Sequence, residues 1–151
     1  MERDKTLYEP PVVQMLDTLN PFFDLFLPKS LGTPVNKDWR IEKLRSFIDC
    51  HPGQLHLGIE KICKHLELPM SNRQARRLFK IATGVGIKQY ARRRRLTCAL
   101  EQLRTTNAAV KVIAADLGYE KTGHLSRSFK EFFHLGPMEF RRIWRQKHIE
   151  A

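Results

Sequence analysis

The sequence predicts an all-α protein in which two helix-turn-helix units are joined by one long helix. Three observations predict it. The stretches ARRLFKIATGVGIKQYARR (75–93) and LSRSFKEFFHLGPMEFRR (125–142) share a skeleton at an offset of fifty residues: Arg77 aligns with Arg127, Phe79 with Phe129, Lys80 with Lys130, Gly86 with Gly136 and Tyr90 with Phe140. Beyond residue 38, apolar residues recur at the three- and four-residue steps of a helix face. No alternating run rich in Val, Ile or Thr competes with that pattern. At 151 residues and 42% hydrophobic content the chain can bury a core.

Residues 1–37 form a leader holding five of the eight prolines, Pro10, Pro11, Pro21, Pro28 and Pro34, between the apolar patches VVQMLDTL and PFFDLFLP. Proline at that density limits it to short helical turns and extended linker. PFFDLFLP has two placements open to it: packing on the first subdomain, or contact with another protein.

The first subdomain is expected over 38–85. Asp38 is placed to cap a helix in WRIEKLRSFID, whose Trp39, Ile41, Leu44, Phe47 and Ile48 keep helical spacing until Pro52-Gly53 ends it. GIEKICKHLEL puts Ile59, Ile62, Cys63 and Leu66 on one face, and Pro69-Met70 breaks it. SNRQARRLFKIAT then starts at Ser71 as N-cap, keeps Ala75, Leu78, Phe79 and Ala82 on one side, and stops at Gly84.

A linking helix over 86–106 follows, its Ile87, Tyr90, Ala91, Leu96, Ala99, Leu100 and Leu103 expected to trace one apolar stripe over about five turns. The second subdomain, 107–151, repeats the plan: Val110, Ile113, Ala114 and Leu117 before Gly118, then Leu125, Phe129 and Phe132, then a last helix with Pro137 in its first position. The helical spacing of Phe129, Phe132, Phe133, Phe140 and Trp144 points to core rather than base stacking.

Charge narrows the function. The formal charge is +11 and the pI about 10.0, yet residues 1–37 carry a net −1, so the rest carries +12. Such a field favours polyanions. No stretch reaches the ~18–20 apolar residues of a membrane span, so no membrane partner is expected. Three cysteines without regular spacing and no signal peptide fit a reducing cytoplasm. Cys50-His51, His56 and Cys63-x-His65 match no structural-zinc spacing, and neither a phosphate-binding glycine loop nor a nucleophile with a base is present. No metal, no cofactor and no enzymatic activity are expected.

Arg95-Leu96-x-x-Ala99, Ile113-Ala114-x-x-Leu117-Gly118-Tyr119, Leu125-Ser126-Arg127-x-Phe129-Lys130, Gly136-Pro137 and Phe140-Arg141, taken together, resemble the DNA-binding domain of AraC/XylS-type transcription regulators. The resemblance covers about 38–145. It implies a homeodomain-like, AraC-type double helix-turn-helix, sequence-specific binding to double-stranded promoter DNA in the cytoplasm at the nucleoid, and, as in short stand-alone members, activation by recruiting RNA polymerase. Two departures stand out. The first unit's turn, Cys63 to Ser71, is expected to be about two residues longer than usual and carries Pro69-Met70 in place of a glycine turn. Nothing before residue 38 is long enough for a ligand-binding and dimerisation domain.

Base reading by a recognition helix uses the exposed side chains near its N-terminus. In the first unit these are Asn72, Arg73, Gln74, Arg76 and Arg77, with arginine's fork suited to guanine O6 and N7. A solvated basic face or phosphate clamps is the competing reading. In the second unit the set is Thr122, Gly123, Ser126 and Arg127, of which the small Thr122, Gly123 and Ser126 suit loose reading or anchoring without discrimination. Phosphate contacts are assigned to Lys80, Lys121, His124, Lys130, Arg92 and Arg93, the last two open to a solubilising role as well. Helical geometry turns Arg92 through Arg95 by ~100° each, so they cannot all meet DNA. Arg95 is expected to pack against or bridge the subdomains, and the other three to face DNA or solvent.

The linking helix would span ~27 Å, enough to hold two reading helices near the ~34 Å that separates successive major grooves. A single chain could then cover an asymmetric site, with a dimer also open. Two other functions are consistent with the composition: a sequence-indifferent nucleoid-type protein, and a protein-interaction adaptor.

Overall fold

A computed structural model describes residues 38–149. The leader at 1–37, with both placements considered for PFFDLFLP, lies outside the described residues. Those that are described form helices α1 (Trp39–Cys50), α2 (Ile59–His65), α3 (Asn72–Thr83), α4 (Ile87–Thr105), α5 (Val110–Asp116), α6 (Thr122–Phe133) and α7 (Pro137–Ile149), with a 3-10 turn at Pro52–Leu57 between α1 and α2. They include no strand.

Local chemistry sets the boundaries. Asp38 caps α1 by accepting a hydrogen bond from the Arg40 N–H at 3.0 Å. Pro52 prevents α1 from continuing and opens the 3-10 turn, an element not anticipated from the sequence. Ser71 caps α3 with a complete capping box: its Oγ accepts from the Gln74 N–H at 3.2 Å, and Gln74 Oε1 accepts from the Ser71 N–H at 3.0 Å.

The two turns differ by one residue. Residues 66–71 separate α2 from α3, and 117–121 separate α5 from α6. Both helices end in the same way: the Leu68 N–H bonds to Cys63 O at 2.8 Å, and the Tyr119 N–H to Ala114 O at 2.9 Å. The left-handed residue that this closure needs is Glu67 (φ 54°) in one unit and Gly118 (φ 75°) in the other. The extra residue lies after Leu68, where Pro69 and Met70 widen the approach to Ser71.

Two separate cores result. Ile41, Leu44, Ile48, Ile59, Ile62, Cys63, Leu68, Ala75 and Phe79 bury together with Ile87, Tyr90 and Ala91 of α4. Ile113, Ala114, Leu117, Leu125, Phe129, Phe133, Leu135 and Phe140 bury with Leu96, Ala99, Leu100 and Leu103. All seven expected apolar positions of α4 are therefore buried, but not as one stripe. At about 100° per residue, Ile87, Tyr90 and Ala91 centre on one side of the helix, and Leu96, Ala99, Leu100 and Leu103 on a side about 170° away. The linking helix thus offers opposite faces to its two cores. Two apolar positions depart from expectation: Trp39 is exposed, and so is Ala82, with Thr83 buried in its place, its hydroxyl donating to Phe79 O at 2.8 Å. Phe129 and Phe133, with ring centroids 4.5 Å apart, and Phe140, 6.0 Å from Phe129, form core as expected.

The arginines of α4 link the halves. Arg94 Nε lies 3.0 Å from Asp49 Oδ1 of α1, whose carboxylate also accepts from Tyr90 Oη at 2.8 Å. Arg95 stacks its guanidinium over Tyr119 of the second unit, 4.8 Å from the ring centroid. Arg92 pairs with Glu131 of α6 at 2.5 Å. Arg94, expected to face DNA or solvent, is instead bound to the first subdomain, because a helix turn brings it over the end of α1.

Candidate nucleic-acid interface

Burial of Ala75 and Phe79 sets the rotation of α3, and burial of Leu125 and Phe129 sets that of α6 in the same way. At about 100° per residue, Arg73, Arg76, Arg77 and Lys80 then fall within about 100° of arc on the side of α3 away from its core. All four are exposed. Their counterparts fifty residues on, Gly123, Ser126, Arg127 and Lys130, take the same face of α6; Ser126 is half-buried and the others are exposed.

Among the described residues, none of Arg73, Arg76, Arg77, Lys80, Lys121, Arg127 and Lys130 has an acidic partner within ion-pair distance, whereas Arg40, Arg45, Arg92, Arg94 and Arg104 all do. The two matching faces therefore carry uncompensated positive charge on rigid helices, an arrangement able to bind phosphate and base edges.

Some candidates have other work. Gln74 returns its side-chain oxygen to the cap of α3. Asn72, half-buried, accepts from Arg76 Nε at 2.9 Å, which steadies the guanidinium while leaving its two terminal nitrogens for a ligand. Arg92, assigned to phosphate, has its charge committed to Glu131 because α4 passes beside α6. Arg93 is half-buried. Lys121 is the exposed N-cap of α6, and His124 is exposed one turn on. Thr122 and Ser126 line an open groove with Val110, Pro137, Met138 and Arg141.

Arg141 escaped the sequence-based reading of the site. It is buried, donates from Nη2 to Ala108 O at 2.6 Å, and thereby ties α7 to the start of α5; burial and the neighbouring Arg145 hold its pKa below the ordinary value. Its position in Phe140-Arg141 was visible, but no local signal shows an arginine turning inward.

Cys50, His51, His56, Cys63 and His65 have mundane surroundings. His51 and His65 lie against Phe47, His56 Nδ1 donates to Gly53 O at 2.8 Å, and burial pushes the Cys63 thiol up. No three His, Cys, Asp or Glu side chains among the described residues are grouped to hold a metal ion. No helix among them is long and apolar enough to cross a membrane.

A family model described as a helix-turn-helix domain matches residues 66–143. The chain is 35% identical over 101 residues to the regulatory protein SoxS of Salmonella typhimurium, covering 67% of this chain and 92% of SoxS. It is 26% identical over 113 residues to the regulatory protein PocR of the same organism, of which it spans only 36%. In fold it is similar to the DNA-binding domain of AdpA, a global transcriptional factor crystallised with a target DNA: TM-score 0.64, 20% identity, 74% of this chain and 97% of that one.

Proposed function

Because the chain belongs to the AraC/XylS family of helix-turn-helix, DNA-binding transcription regulators, we propose that it binds promoter DNA sequence-specifically by placing α3 and α6 in successive major grooves. The observation that carries this reading is the repeated, exposed and unpaired cationic face, Arg73, Arg76, Arg77 and Lys80 on α3 with Arg127 and Lys130 on α6. Arg73, Arg76 and Arg77 read base edges in the first half-site. Arg127 reads in the second, where Thr122, Gly123 and Ser126 offer fit rather than strong bonds. Lys80, Lys121, His124 and Lys130 hold phosphates.

Family membership speaks for regulation rather than catalysis. One chain, carrying two reading helices, occupies an asymmetric site as a monomer. We place it in the cytoplasm at the nucleoid, as an activator that contacts RNA polymerase, on the strength of its likeness to short regulators of the family.

Selection of bound duplexes from a random pool tests the DNA reading. A bipartite consensus that survives excess random competitor is expected; uniform loss to competitor would instead establish sequence-indifferent binding. Transcription in vitro from a template carrying that consensus tests the sign, with more transcript expected on adding the protein.

A further inference from the structure

The two cores seat each terminal unit on its own face of the linking helix, and a direct contact between the units adds a second constraint on their relative rotation. In this fold the 3-10 turn of the first unit, which packs along α4, lies backbone to backbone against the turn between α5 and α6 of the second. Two glycines meet there. A Cβ on Gly53 would lie 2.8 Å from the Leu117 carbonyl carbon and 3.1 Å from the Gly118 nitrogen, and a Cβ on Gly118 would lie 2.5 Å from Gly53 O. These neighbours are main-chain atoms, which cannot swing aside as the end of a side chain can.

The contact sits at the root of the second reading helix, since α6 begins four residues after Gly118. The next residue, Tyr119, is held to the linking helix by Arg95 over its ring.

We propose that Gly53 and Gly118 are positioning residues that set the spacing and phase of the two half-sites the protein accepts. The inference rests on the bipartite DNA reading above. Each base pair inserted between half-sites turns one by about 35° and moves it about 3.4 Å. A locked pair of reading helices tolerates little of that, and a side chain at Gly53 must separate the two turns and so re-aim α6 relative to α3.

Gly53→Ala is the cleaner probe, because Gly118 also has a positive φ (75°) that any substitution would strain locally. The selected bipartite duplex is lengthened and shortened between its half-sites by one to three base pairs, and binding is followed by fluorescence anisotropy. The wild-type protein is expected to show one spacer optimum, with about tenfold or greater loss on adding or removing a base pair. Gly53→Ala is expected to broaden or displace that optimum, while binding to a duplex carrying only the first half-site is unchanged. Gly86→Ala, where a Cβ meets nothing within 4 Å, is expected to keep the wild-type profile.

An unshifted and equally sharp Gly53→Ala profile overturns the assignment and leaves the bipartite reading standing. A flat wild-type profile also overturns it, and decides the matter even if Gly53→Ala does not fold. Failure of the wild-type protein to select any bipartite site removes the DNA reading and the spacing inference together.

Discussion

At the scale of single residues, the site divides by what each cation can do. Arg76, steadied by Asn72, presents a fork that pairs with one base, so Arg76→Ala should cost about 1–3 kcal/mol of specific affinity and relax the preference at one position. Lys130 is a point charge; Lys130→Ala should weaken binding to all sequences alike and reduce the salt slope by about one. Salt-dependent binding to specific and random duplexes separates the two, and identical behaviour of the mutants would refute the division of roles. Tyr90 shows the same logic inside the fold. Burial first, and its hydrogen bond to Asp49 second, push its pKa up from 10.0 to about 12. The folded state thus prefers the protonated phenol, a preference harmless below pH about 10 and increasingly costly as pH rises towards 12. Urea unfolding between pH 9 and 11.5 should show wild-type stability falling more steeply than that of Tyr90→Phe.

Among the elements, caps and turns decide where the reading surfaces begin. Ser71→Ala breaks the capping box of α3 and should cost about 1 kcal/mol, visible in chemical denaturation, with fraying at the end that carries Arg73. Each unit also holds a non-glycine residue in the left-handed region, Glu67 (φ 54°) in one and His134 (φ 63°) in the other. Glu67→Gly and His134→Gly should each stabilise by about 0.5–1 kcal/mol, since relief of the backbone penalty exceeds glycine's entropic cost. A loss of stability in both would show that their side chains contribute more than the backbone strain removes.

In the whole molecule, two cores share one helix through opposite faces. Removing a ring from the second core should therefore act regionally. Phe129→Ala is expected to cost about 3–5 kcal/mol, with loss of amide protection concentrated in residues 96–149 and largely sparing 39–91 in hydrogen exchange. The helices, their caps at Asp38 and Ser71, the seven buried positions of the linker and the repeated cationic face were all legible in the sequence, because each depends on residues within a turn or two of one another. What the linear chain could not show depends on which distant segments meet. The inward turn of Arg141 onto Ala108, the pairing of Arg92 with Glu131 and the meeting of Gly53 with Gly118 arise only when segments far apart in the chain pack together, whereas the split of the linker's apolar residues into opposing faces follows from helix geometry. An arginine has the same local signature whether it meets a phosphate or a carboxylate, and a glycine the same whether it bends a turn or admits another backbone. Tertiary packing alone decides between them, by supplying the neighbour.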